Sequence, residues 1–82
     1  MTVRASPQGW IVLEGACPSE DADVLVQHLL SHPESAVDWR ACEAAHSAVI
    51  QVLMAARPRL VGPPAGAALR AWVEPNLQET PA

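Results

Sequence analysis

The sequence predicts a small α/β domain, a four-stranded mixed sheet with about three helices mostly on one face. Three observations carry this. The 82 residues allow one hydrophobic core and leave no room for a second. Short β-rich runs alternate with stretches whose apolar residues recur at helical spacing. Proline and glycine stand at nearly every boundary between them.

The first two strands are "TVRAS", residues 2 to 6, and "WIVLEG", residues 10 to 15. Pro7-Gln8-Gly9 between them supplies turn dihedrals, so the pair reads as a β-hairpin. From Ser19 the period changes: Ala22, Leu25, Val26, Leu29 and Leu30 fall on one helical face. Ser19 is the expected cap. Glu20, Asp21 and Asp23 suit the positive end of the helix dipole, and His28 and His32 suit the negative end before Pro33.

"AVDWR", residues 36 to 40, alternates Val37 and Trp39 with Asp38 and Arg40, which predicts a strand with one buried and one wet face. "ACEAAHS" then reads as a loop. A second helix is expected from about Ser47 to Arg57, where Pro58 ends it. "RLVG", residues 59 to 62, is a short strand. Ala65, Ala68, Leu69, Trp72 and Val73 mark a third helix, stopped by Pro75. Residues 1–75 thus form one domain, and residues 76–82 carry too little apolar surface to be held, which predicts a flexible tail.

The order β-β-α-β-α-β-α requires right-handed crossovers between parallel strands. With the later strands in sequence order, both crossover helices lie on one side of the sheet. Its other face is then left open, in keeping with the alternation in "AVDWR".

Composition narrows the function classes. Half of the residues are hydrophobic, and with no Phe or Tyr the core volume must come from aliphatic residues and from Trp10, Trp39 and Trp72. Trp39 and Trp72 are expected as core anchors, with Trp10 partly exposed. The net charge is −4, Lys is absent and the five Arg are dispersed, so there is no basic stripe for nucleic acid. The longest apolar stretch, Ala48 to Ala56, contains Gln51 and is well short of the roughly 20 residues that span a bilayer. No charged-then-apolar leader is evident, which predicts a cytoplasmic protein. Cys17 and Cys42 form no CxxC pattern, and reduced thiols are expected.

In an open α/β sheet, ligands and partners meet the loops at the carboxyl ends of parallel strands. Those loops here are "ACPSED", "ACEAAHS" and "GPPAG", which would set Cys17, Cys42, His46, Ser47 and Gly62 along one edge. The spacing of Cys42 and His46, and of His28 and His32, gives each pair one helical turn of separation, but a zinc site needs three or four ligands. A thiol nucleophile at Cys42 or Cys17 with His46 as base would lack an orienting group. "GPPAG" has neither the Lys nor the spacing of a phosphate loop. No cofactor, metal or enzymatic activity is expected.

"VDWRACEAAHSAVIQVLMAA", residues 37 to 56, resembles without a gap the regulatory segment of the STAS family, the anti-sigma-factor antagonist domains that also occur in sulfate transporters. Asp38 falls on the family's strand Asp, Ser47 on its phosphorylatable Ser, and Val52 to Ala56 on the helix interior. "WIVLEG" and "RLVGPPAGAALRAWVEPNL" resemble its earlier strand and its last strand and helix, so the likeness covers roughly residues 3 to 77. His46 stands where the family has Asp, and Val49 where it often has a small Gly.

The resemblance implies a non-enzymatic bacterial signalling protein that acts by protein-protein interaction and is switched by phosphorylation at Ser47. Its implied partner is an anti-sigma factor or a serine kinase; a two-component or chemotaxis-type kinase is a further candidate beside what the resemblance implies. The expected docking residues are Asp38, Arg40, Cys42, Glu43, His46, Ser47 and Val49. A phosphate at Ser47 would meet the unpaired N–H groups and positive dipole end of a helix. Two alternatives stand beside this reading: a constitutive adaptor or accessory subunit without phosphorylation, and a small thiol or metal site built from Cys17, Cys42 and His46.

Overall fold

The computed structural model describes residues 2–77. Strand β1, Val3–Ala5, and strand β2, Ile11–Cys17, form the expected hairpin, with Val3 opposite Leu13 and Ala5 opposite Ile11. Its loop closes through the Gly9 N–H donating to the Ser6 carbonyl at 2.9 Å. Gly9 has a φ of +86°, which glycine adopts without steric cost.

Helix α1, Asp21–Ser31, follows without a side-chain cap. Ser19 is not the N-cap. Residues 18–20 form a turn instead, in which the carbonyls of Pro18 and Ser19 accept from the Asp21 and Ala22 N–H groups at 3.0 Å each. Those backbone acceptors do what the serine hydroxyl was expected to do. Leu25 is fully buried, whereas Leu30, expected on the apolar face, is 72 % exposed.

Strand β3, Val37–Ala45, is nine residues long and lies parallel to β2. The expected loop at residues 41–46 is therefore strand nearly to its end. Alanine is a weak strand former, so no local pattern announces it; pairing of Glu14, Gly15, Ala16 and Cys17 with Ala41, Cys42, Ala44 and Ala45 decides it. The ladder shifts register twice, and Gly15, at a φ of +65°, sits at the second shift.

Helix α2, Ser47–Ala56, buries Val49 and Leu53. It ends as expected before Pro58, at Arg57 in the left-handed region. Strand β4, Leu60–Val61, pairs parallel with Val37 and Asp38 and completes the order β1-β2-β3-β4. This is the mixed four-stranded α/β sheet read from the sequence.

The last helix does not stop at Pro75. A π-helical segment, Leu69–Val73, runs into a short helix α3, Glu74–Leu77. Proline lacks a donor and crowds the carbonyl four residues back, and the wider π turn before it accommodates both. The Asn76 side-chain amide donates to the Trp72 carbonyl at 2.9 Å, and Leu77 packs on the core. Residues 76 and 77 are thus helical, while the remainder of the expected tail, 78–82, lies outside the described residues.

Trp39 is the largest core side chain, at 1 % exposure, but Trp72 is 77 % exposed and anchors nothing. Buried Ile11, Leu13, Leu25, Val37, Val49 and Leu53 surround Trp39 in one cluster. No helix among the described residues is long and apolar enough to cross a membrane.

Candidate functional site

The junction of β3 and α2 is a single residue, His46. Its backbone is extended, with φ −61° and ψ 150°, while Ser47 is already helical. The His46 N–H donates to the Cys17 carbonyl at 2.8 Å, tying the junction to the end of β2. Its ring caps the helix: Nδ1 accepts from the Ala48 N–H at 3.1 Å. That bond requires the neutral ring with its proton on Nε2. His46 is the N-cap of α2.

Ser47 occupies the first helical position and is exposed. Its hydroxyl makes no hydrogen bond among the described residues. The first turn of α2 contains no acidic residue, in contrast to α1 with Asp21 and Asp23. Gln51, Met54 and Ala55 continue from Ser47 at positions four, seven and eight along the helix, and all are exposed. Buried Val49 and Leu53 hold the opposite side. A negative group at Ser47 would therefore sit at the positive end of a firmly seated helix and at the head of its solvent face.

The other expected docking residues do not gather there. Cys42 and Val49 are fully buried and cannot touch a partner. Their place follows from the strand continuing through Cys42 and from the inward turn of α2. Asp38 is the second residue of β3 and Arg40 the fourth, on the open face of the sheet. From Asp38 to Ala45 the strand advances about 23 Å at roughly 3.3 Å per residue, so these two lie far from Ser47. Glu43 is exposed near the carboxyl end, at the bulge. Of the expected docking residues, only Glu43, His46 and Ser47 lie at the surface of that end.

Gly62 also departs from the expected edge. It follows β4 and lies under Trp39: a Cβ there would stand 2.4 Å from the indole nitrogen. The chain then runs beside β3, with the Gly66 N–H donating to the Cys42 carbonyl at 3.0 Å.

The open face carries two ion pairs. Arg40 donates to Asp38 at 2.9 Å, and Arg4 to Glu14 at 2.8 Å. The Arg40 side chain holds the Asp38 carboxyl below its usual range, and Arg4 does the same for Glu14. Arg4 and Glu14 were not singled out in the sequence, because only the hairpin register, which sets Arg4 opposite Val12, brings them together. With each charge answered by its neighbour, this face attracts neither sign strongly.

Cys17, Cys42 and His46 do not form a ligand set. Both thiols are buried, while the His46 ring is exposed and used by its own helix. His28 and His32 lie at the far end of α1. Among the described residues, no group of three His, Cys, Asp or Glu side chains could hold a metal. Comparison of the chain with protein-family models, with curated proteins and with solved structures finds no match.

Proposed function

We propose that this chain is a non-enzymatic cytoplasmic signalling domain that binds another protein through the exposed face of α2, and that phosphorylation at Ser47 changes the affinity. The observation that carries this is the setting of Ser47: exposed, first in its helix, with no acid in that turn and a line of exposed residues behind it. A phosphate there adds about −1.5 to −2 charges at pH 7. The helix end tolerates that charge, and a partner lying on Gln51 and Met54 meets it directly. The resemblance to the STAS family, in element order and in the position of Ser47, supports the same reading. It points to an anti-sigma-type protein or a serine kinase as partner; a two-component or chemotaxis-type kinase is a further candidate that the resemblance does not supply.

A second reading has its own support. Leu30 is 72 % exposed and Trp72 77 % exposed, and large apolar side chains left in water suit a constitutive adaptor that never depends on Ser47.

The discriminating experiment captures partners from the native host with tagged wild type, Ser47→Ala and Ser47→Asp, and maps phosphosites by mass spectrometry. The switch predicts one protein held by wild type and Ser47→Ala, weakened by about tenfold or more in Ser47→Asp, an effect of roughly 1.4 kcal/mol. It also predicts phosphate on Ser47. Equal retention by all three variants, with Ser47 unmodified, establishes the adaptor instead.

A further inference from the structure

Cys17 and Cys42 are both free, 2 % and 0 % exposed, and lie on the core face of adjacent parallel strands. Gly15 pairs with Cys42 and Cys17 with Ala45, which makes the two cysteines diagonal neighbours. The ladder is already interrupted between them, since Glu43 falls outside the register from Cys42 to Ala44. This is a place where β3 can move against β2 without breaking a regular ladder.

We propose that Cys17 and Cys42 form a reversible thiol-disulfide switch oxidised by small peroxides. The roles of the two sulfurs differ. The Cys42 thiol donates to the Ala44 carbonyl at 3.4 Å; the nearness of the two sulfurs holds Cys17 below the ordinary thiol range and raises Cys42, which burial raises further. Cys17 is the attacking sulfur because it ends its strand, whereas Cys42 lies in the middle of β3. The Cys17 sulfur is 3.8 Å from the Thr2 carbonyl oxygen, so fraying of the three-residue β1 uncovers it.

The Cys17 thiolate attacks one oxygen of hydrogen peroxide, forming the sulfenic acid and releasing hydroxide. The Cys42 sulfur then attacks the Cys17 sulfur, its proton leaves with the hydroxyl as water, and the S–S bond closes. Two thiols are oxidised and one peroxide is reduced to two waters. Diagonal neighbours stand about 7 to 8 Å apart at Cα, beyond the roughly 4.4 to 6.8 Å of a relaxed bridge. Closure must draw the bulge inward, and a bridge made that way is readily reduced. Because the His46 N–H bonds the Cys17 carbonyl, the movement reaches the start of α2. The proposal rests on the thiols alone and stands apart from the reading of Ser47.

The test exposes the folded full chain to hydrogen peroxide, in parallel with the chain in denaturant, followed by non-reducing peptide mass mapping. The folded wild type is expected to lose two hydrogens and yield a Cys17–Cys42 peptide pair that dithiothreitol separates. In Cys42→Ser, dimedone should trap a sulfenic acid at Cys17, and Cys17→Ser should oxidise about tenfold more slowly or less. A bridge that appears only in denaturant overturns the proposal. So does over-oxidation of either thiol in the folded wild type without bridging, an observation that needs no variant to fold.

Discussion

Gly66 shows how far a single missing atom governs this structure. A Cβ on it would stand 1.9 Å from the Glu43 carbonyl oxygen and 2.7 Å from its carbon, both backbone atoms that cannot swing aside. Gly66→Ala is expected to cost about 1 to 3 kcal/mol and, at roughly 4 to 8 °C per kcal/mol for a domain of this size, to lower the melting temperature clearly. Thermal unfolding followed by circular dichroism measures it, and an unchanged midpoint would contradict the close approach. Trp39 was legible as a core residue because Asp38 and Arg40 frame it. The glycine beneath it was not, since "GPPAG" looks like an ordinary turn until the chain is seen to run along β3. The Trp39 indole N–H, buried with no acceptor among the described residues, is the cost of that close packing.

At the scale of elements, the helical segments were legible wherever apolar residues kept a 3.6 period and prolines closed them. The bounds of α2 follow the reading almost to the residue. The length of β3 was hidden because Ala41, Ala44 and Ala45 favour no strand on their own and pair only through β2. The passage across Pro75 was hidden because a π turn has no sequence signature. The β3–α2 junction offers a direct check on its cap. His46→Ala removes the acceptor of the Ala48 N–H and should destabilise the protein by about 0.5 to 2 kcal/mol. His46→Asp keeps an acceptor and sets a negative charge at the helix start, worth about 0.3 to 1 kcal/mol. Urea unfolding should rank the alanine variant below wild type and the aspartate variant at or above it; equal midpoints for both would mean the ring does not cap.

For the molecule as a whole, the sheet, its strand order and the side on which the helices pack were legible from alternation and handedness. The site was legible only in part. Ser47 and His46 lie at the surface of one helix end, but the same stretch was expected to carry Cys42 and Val49 outward, and the longer strand turns them in. Leu30 and Trp72 went the other way, from expected core to open water, because this small core is already filled by shorter aliphatic residues around Trp39. Leu30→Ser and Trp72→Ser should accordingly leave stability within about 0.5 kcal/mol of wild type, measured by chemical unfolding; a loss of several kcal/mol would place those side chains inside. The two outer strands carry a separate consequence for life in a crowded cell. β1 spans three residues and β4 two, and the chain leaving β4 reads Gly62-Pro63-Pro64, with two successive positions that offer no N–H. Neither border is long enough to recruit a foreign strand, and one is capped by imino acids, so the sheet resists growth into fibrils while keeping an uncovered face.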